Sequence, residues 1–201
     1  MVPPESSDVG ERTDAAAELR RQAEGIAPGR TVALVGLMGA GKTTIGRRLA
    51  HALALPFADA DEAIVAAAGR SIEDIFAERG ECEFRRGERQ VIARLLDGET
   101  HVLATGGGAF IDPRTRELMK ERAISIWLKA PLDVLMKRVV KRDHRPLLKE
   151  ADPRAVMQRL MDERYPIYAE ADLTIETGSG PHNSAVAQIL IGLRKHLQAV
   201  T

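Results

Sequence analysis

The sequence predicts an α/β protein of three layers (α/β/α), a central parallel sheet of about five strands with helices on both faces. Three observations predict it. Short apolar stretches such as "TVALVGL" (31–37), "HVLATGGGAF" (101–110), "AISIWLKA" (123–130) and "LTIET" (173–177) alternate with stretches of helical period. A run that is apolar at every position suits a strand buried on both faces, and strands separated by helices pair in parallel. Glycines and acids then follow the strands, at the rim where sheets of this kind take their ligands.

The elements follow in order. Residues 1–29, "MVPPESSDVGERTDAAAELRRQAEGIAPG", are polar and proline-flanked. They read as a flexible N-terminal tail with one short helix around 15–24, and without the apolar core of a secretory signal. Residues 30–201 read as a single domain. The first strand runs into "GLMGAGKTTIGRRLA", where Ile45, Leu49 and Leu53 recur at helical spacing. "LPFADAD" is a short segment ending in Asp59 and Asp61, and "EAIVAAAG" and "SIEDIFAERG" read as helices. Ser71 with Asp74 three residues on caps the second of these, and Gly80 closes it. "ECEFRRGERQVIARLLDG" is a longer helix despite Gly87. "DPRTRELMKERA" opens on an Asp cap with Pro113 in the first turn, and "PLDVLMKRVVKR" is another helix. "DHRPLLKEADPR" is an exposed loop, "AVMQRLMDERYPIYAEA" is helical until Pro166, and "SAVAQILIGLRKHLQAV" closes the chain as an amphipathic helix.

Composition narrows the function. Acidic and basic residues number 29 each, which argues against a nucleic-acid or anionic-membrane partner held by bulk charge. Aromatics make up 3% of the chain, too few for base-stacking platforms. Cys82 is the only cysteine, so neither an internal disulfide nor a cysteine zinc site is available. No apolar run approaches the ~20 residues of a membrane span, and the expected location is the cytoplasm.

The chemistry begins at residues 36–43. Gly36, four residues, then Gly41-Lys42-Thr43 is the spacing of the phosphate-binding P-loop, here with a strand before it and a helix after it. Glycines let successive N–H groups turn inward on anionic oxygens, and the following helix adds its positive end. Lys42 then reaches the β- and γ-phosphates, and the Thr43 hydroxyl is placed for Mg²⁺. A GTPase would need Asn-Lys-x-Asp, and no lysine follows Asn183, the only asparagine. A P-loop in so short a chain, with a charged loop in its C-terminal third, points to a small-molecule kinase with a closing lid.

The acceptor side is read from residue types. Asp59 and Asp61 suit a metal and a substrate hydroxyl, with the cap of the next helix as the lesser alternative. "TGGGA" (105–109) offers unobstructed N–H groups to an anion or polyol, or is a plain turn. Arg85 and Arg86 lie about 100° apart on a helix, so only one can face a cleft, and Glu88 is within pairing reach of Arg85. Taken by residue type alone, these arginines, Arg145 and Arg164 read as solvated side chains.

Together these segments resemble the shikimate kinase family, on the nucleoside-monophosphate-kinase-like P-loop fold. The resemblance runs from about residue 30 to 198 and rests on "GLMGAGKTTIGRRLA", "DAD", "GRSIEDIFAERGECEFRRGE", "TGGGA", "RPLL" and "DERYPIY", in that order. It implies transfer of a phosphoryl group from ATP to the 3-hydroxyl of shikimate, with Mg²⁺, in a cytoplasmic monomer. Gly36, Met38, Gly39, Ala40, Gly41, Lys42, Thr43 and Thr44 would bind the nucleotide, with Arg138 beside the adenine and Arg145 on the phosphates. Thr43 and Asp59 would hold the metal. Lys42, Asp61 and Arg145 would be catalytic. Asp61, Arg85, Arg164 and the glycines Gly106, Gly107 and Gly108 would meet shikimate, the arginines taking its carboxylate, while Glu88 holds Arg85. Phe76 and Phe84 would wall the ring. The substrate-binding region spans about 61–90 and the lid about 142–153. Two departures stand out: Ala60 replaces a polar residue between the acids, and "TGSGPHNS" lacks the arginine the family often places near the adenine.

Overall fold

A computed structural model describes residues 7–140 and 152–200. Five parallel strands form one sheet in the order β2-β3-β1-β4-β5. The strands are β1 (Thr31–Val35), β2 (Phe57–Asp59), β3 (Val102–Ala104), β4 (Ala123–Lys129) and β5 (Leu173–Glu176). β1 is central because every one of its residues is buried and its neighbours are the apolar β3 and β4. Leu34 pairs with Ala104 on one side and Ile126 on the other. The predicted sheet is present, with the predicted number of strands.

Among the described residues eight α-helices cover it: α1 (Ser7–Ala23), α2 (Lys42–Leu53), α3 (Ala60–Ala68), α4 (Ile72–Leu96), α5 (Pro113–Arg122), α6 (Leu132–Val140), α7 (Pro153–Tyr168) and α8 (His182–Val200). Helices α1, α2 and α8 pack on one another, as do α4 with α5 and α6 with α7. The capping read from the sequence is present. Asp74 N donates to Ser71 Oγ at 3.1 Å, and Asp112 accepts from the N–H groups of Arg114 and Thr115 ahead of Pro113. The helices expected on either side of Gly80 are both present and meet at a kink there, φ 75° and ψ 173°, a conformation only glycine adopts without strain; together they are labelled α4.

Two expectations need correction. The N-terminal segment carries a longer helix than the one read around 15–24, and that helix is no loose tail. Leu19 and Ala23 are buried in the main core. Arg194 Nη2 donates to the carbonyls of Gln22 and Glu24, and the Arg20 guanidinium lies 2.8 Å from His51 Nε2. The mean polarity of the segment conceals a narrow apolar stripe that includes Leu19 and Ala23. Pro166, in turn, does not end α7, which continues to Tyr168. Proline deprives a helix of one N–H bond, and within the last turn little remains to disrupt.

The topology positions the site. The glycine loop leaves the carboxyl end of β1, Asp59 ends β2, and Thr105 to Gly108 follow β3. These three strands are adjacent, so three segments far apart in sequence meet at one edge.

Candidate active site

The glycine loop is built into the sheet end. At Gly36 (φ 133°) a Cβ would stand 2.8 Å from the Leu128 carbonyl oxygen, so no other residue fits that strand-to-loop corner. Lys42, the first residue of α2, folds back and donates to the carbonyls of Gly36 at 2.7 Å and Leu37 at 3.0 Å. Its ammonium is thereby held over the loop. Arg138, on α6, braces the far side by donating to Gly39, Ala40 and Gly178 carbonyls. Burial lowers the pKa of its guanidinium.

The two acids take different directions. Thr43 Oγ1 donates to Asp59 Oδ2 at 2.8 Å, and Asp59 Oδ1 accepts from the N–H of Asp61 at 3.0 Å. Asp59 therefore caps α3 with one carboxylate oxygen and accepts from the Thr43 hydroxyl with the other. Asp61 points toward the second glycine loop. A Cβ on Gly106 would stand 2.8 Å from Asp61 Oδ1 and 2.9 Å from Glu88 Oε1. Only glycine leaves these carboxylates their space.

Arg85 lies across the same loop. Its Nη1 donates to Glu88 Oε2 at 2.7 Å, and Glu88 is only 2% exposed. A Cβ on Gly108 would be 2.4 Å from both Nη atoms. Burial pushes the Glu88 carboxyl up, the Arg85 partnership opposes this, and the charges of Asp61 and Asp112 add to the rise. Burial alone would lower the Arg85 guanidinium, but Glu88 and Glu81 together hold it above its ordinary value. The ring of Phe84 lies 5.2 Å from Arg85 Cζ and 4.4 Å from Phe76. Arg164 Nη1 donates to the Gly107 carbonyl at 3.2 Å.

A cleft of about 340 Å³ opens between the glycine loop, the two acids and Gly107, whereas the predicted Arg85, Arg164, Gly106 and Gly108 lie off its lining. The structure brings Met38, Gly39, Gly41, Lys42, Thr43 and Thr44 together with Asp59, Asp61, Gly107 and Arg138 in its lining. Gly36 and Ala40 support the loop from beneath, since Ala40 is fully buried. Phe84 packs with Ile64 and Ile75 behind Arg85, and the more exposed Phe76 stacks on it. Neither ring lines the cleft itself. Arg145 and most of the predicted lid lie outside the described residues.

Three residues escaped the sequence reading. Tyr168, fully buried, donates its phenol to the same Gly107 carbonyl that Arg164 meets. Burial pushes its pKa up to about 12, so it stays a donor. The signal was available: Arg164 and Tyr168 are four apart and share a helix face. His182 opens α8 at the cleft wall beside Gly41. Burial, with the charges of Arg138 and Arg48, holds its ring below the ordinary pKa. Glu81 is the third, at 3.3 Å from Arg85.

Among known proteins, the shikimate kinase family model matches residues 38–194. A shikimate kinase of Paramagnetospirillum magneticum is 57% identical over 169 residues, covering 84% of this chain and 87% of that protein. One from Caulobacter vibrioides is 57% identical over 166 residues, 83% of each chain. Among solved structures, shikimate kinase from Acinetobacter baumannii in complex with shikimate superposes with a TM-score of 0.80 at 37% identity. It covers 88% of this chain and 97% of its own. A gluconokinase from Sinorhizobium meliloti, at 16% identity and a TM-score of 0.61, shares the fold alone. The chain belongs to the shikimate kinase family, whose members are ATP-dependent kinases.

Proposed function

We propose that this cleft transfers the γ-phosphate of ATP to the 3-hydroxyl of shikimate, giving shikimate 3-phosphate and ADP on the way to chorismate and the aromatic amino acids. The observation that carries the reading is the fixed guanidinium of Arg85. It is anchored by a buried carboxylate and laid over a glycine that leaves it room, on the loop that also borders Asp61 and the P-loop. A planar fork of this kind suits a carboxylate better than a lysine would.

In this reading Arg85 and Arg164 take the carboxylate of shikimate, and the backbone of Gly107 meets its ring. Asp61 accepts or orients the proton of the attacking hydroxyl. Lys42, aimed from the start of α2, stabilises the charge that spreads over the transferring group. The P-loop amides cradle the phosphates, and Arg138 lies toward the base. Thr43 and Asp59 present two hard oxygens 2.8 Å apart, a donor set that fits Mg²⁺ with its remaining positions filled by phosphate and water. When bound, that ion supplies charge neutralisation on the phosphate oxygens. Among the described residues no helix is long and apolar enough to cross a membrane; the reading is of a cytoplasmic monomer whose partners are the two small substrates.

The test is steady-state ADP release with Arg85 replaced. An ionic hydrogen bond is worth roughly 1.5–3 kcal/mol. Arg85→Ala should therefore raise the KM for shikimate about tenfold or more with the KM for ATP unchanged, and Arg85→Lys should fall between. An Arg85→Ala enzyme with normal shikimate affinity would remove the residue from the substrate site.

A further inference from the structure

Arg85 is held by two carboxylates of unlike standing. Glu88 takes Nη1 at 2.7 Å from inside the protein. Glu81 takes the other edge: its Oε1 lies 3.4 Å from Nε and 3.3 Å from Nη2. The Nε/Nη2 edge presents two parallel N–H bonds, a geometry that matches a planar carboxylate. That edge is occupied by a side chain of this protein, and an exposed one, since Glu81 is 68% accessible.

The backbone beside Glu81 is suited to a change of position. Gly80 immediately precedes it, breaks the helical path of α4, and has nothing within 4 Å of where a Cβ would stand. Glu88, by contrast, is buried and bonded to Arg85 from inside the protein.

We propose that Glu81 is a place-holder for the substrate's carboxylate: it occupies the outer edge of Arg85 in the free enzyme and yields it when an anionic acceptor arrives. This rests on the reading that Arg85 binds that carboxylate. Glu81 is a positioning residue with two effects. It keeps the guanidinium extended toward Gly108 before substrate binds. It also discriminates, because an acceptor without a carboxylate cannot replace the charge it would displace. Shikimate binding then exchanges one ion pair for another, so its net affinity is lower than an unoccupied Arg85 would give.

The experiment is steady-state kinetics of the full chain with Glu81→Gln and Glu81→Ala, using shikimate and its carboxamide as acceptors at saturating ATP and Mg²⁺. An exposed ion pair of this kind sets the scale. The KM for shikimate should fall about two- to fivefold, with kcat and the KM for ATP holding. The KM for the carboxamide should fall by a larger factor, narrowing discrimination between the two. A merely structural Glu81 would instead lower the melting temperature and move kcat and both KM values together. A shikimate KM that is unchanged or raised in both variants overturns the place-holder. Arg85→Ala run alongside separates the two levels. If it raises the shikimate KM while the Glu81 variants lower nothing, the place-holder alone is wrong. If it leaves that KM unchanged, the carboxylate reading beneath it is wrong.

Discussion

Tyr168 and Arg164, one helical turn apart on α7, donate to the same backbone oxygen, that of Gly107. The arginine is partly exposed and the phenol wholly buried. The glycine loop after β3 is thus pinned by a buried neutral donor and by a charged donor that keeps partial exposure.

Tyr168→Phe should therefore loosen that loop without removing charge from the site. Losing one buried hydrogen bond costs about 1 kcal/mol, which in a chain of this size lowers the melting temperature by roughly 2–4 °C. The shikimate KM should rise more than the ATP KM. Calorimetry and substrate titration check both effects, and an unchanged melting temperature would show that Arg164 alone suffices to hold Gly107.

The glycines at 107 and 108 should respond differently to a methyl group. A Cβ at Gly107 meets its nearest neighbour, the Met38 N–H nitrogen, at an ordinary 3.5 Å. At Gly108 it would meet the Arg85 guanidinium at 2.4 Å, and the flexible arginine would have to move. Gly108→Ala should fold normally yet raise the shikimate KM about tenfold, on the scale of an ionic hydrogen bond; Gly107→Ala should be much milder. Equal effects in shikimate titrations would contradict the position of Arg85.

Removal of residues 1–27 should destabilise the protein. Leu19 and Ala23 leave the core, and α8 and α2 lose the helix lying across them. Burial of one leucine alone is worth roughly 1.5–3 kcal/mol, so thermal unfolding should begin at least several degrees lower. Activity at 25 °C should persist, because α1 contributes nothing to the cleft.

His182 gives a dependence on pH with a defined sign. Its folded pKa lies below the ordinary 6.5. The stability it contributes is therefore complete above that value and is lost as pH falls through it toward the folded pKa. His182→Asn should remove this term, so the variant's melting temperature should gain on the parent's as pH drops from 7.5 to 5.5. A constant difference across that range would show that the ring titrates normally in the fold.

What the sequence disclosed follows the range of the interactions involved. The P-loop, the caps at Ser71 and Asp112, and the Arg85–Glu88 pair are local: spacing of a few residues decides them, and they were legible. The strand count was legible because strands buried on both faces have an unmistakable composition. Other features depend on contacts across the fold. Tyr168 reaches Gly107 over 61 residues, and α1 finds its place only because α2 and α8 leave an apolar seam. Glu81 was hidden for a different reason: a carboxylate one turn before an arginine is so common on exposed helices that spacing alone does not separate a functional pair from an ordinary one.

The most direct measurement is ADP release by the full chain with ATP and Mg²⁺, in the presence and absence of shikimate, with the phosphorylated product followed by phosphorus NMR. The expected result is rapid ADP formation only when shikimate is present, matched mole for mole by a phosphate ester at its 3-hydroxyl. ADP release at the same rate without shikimate, or an ester at another hydroxyl, would contradict the assignment of the cleft.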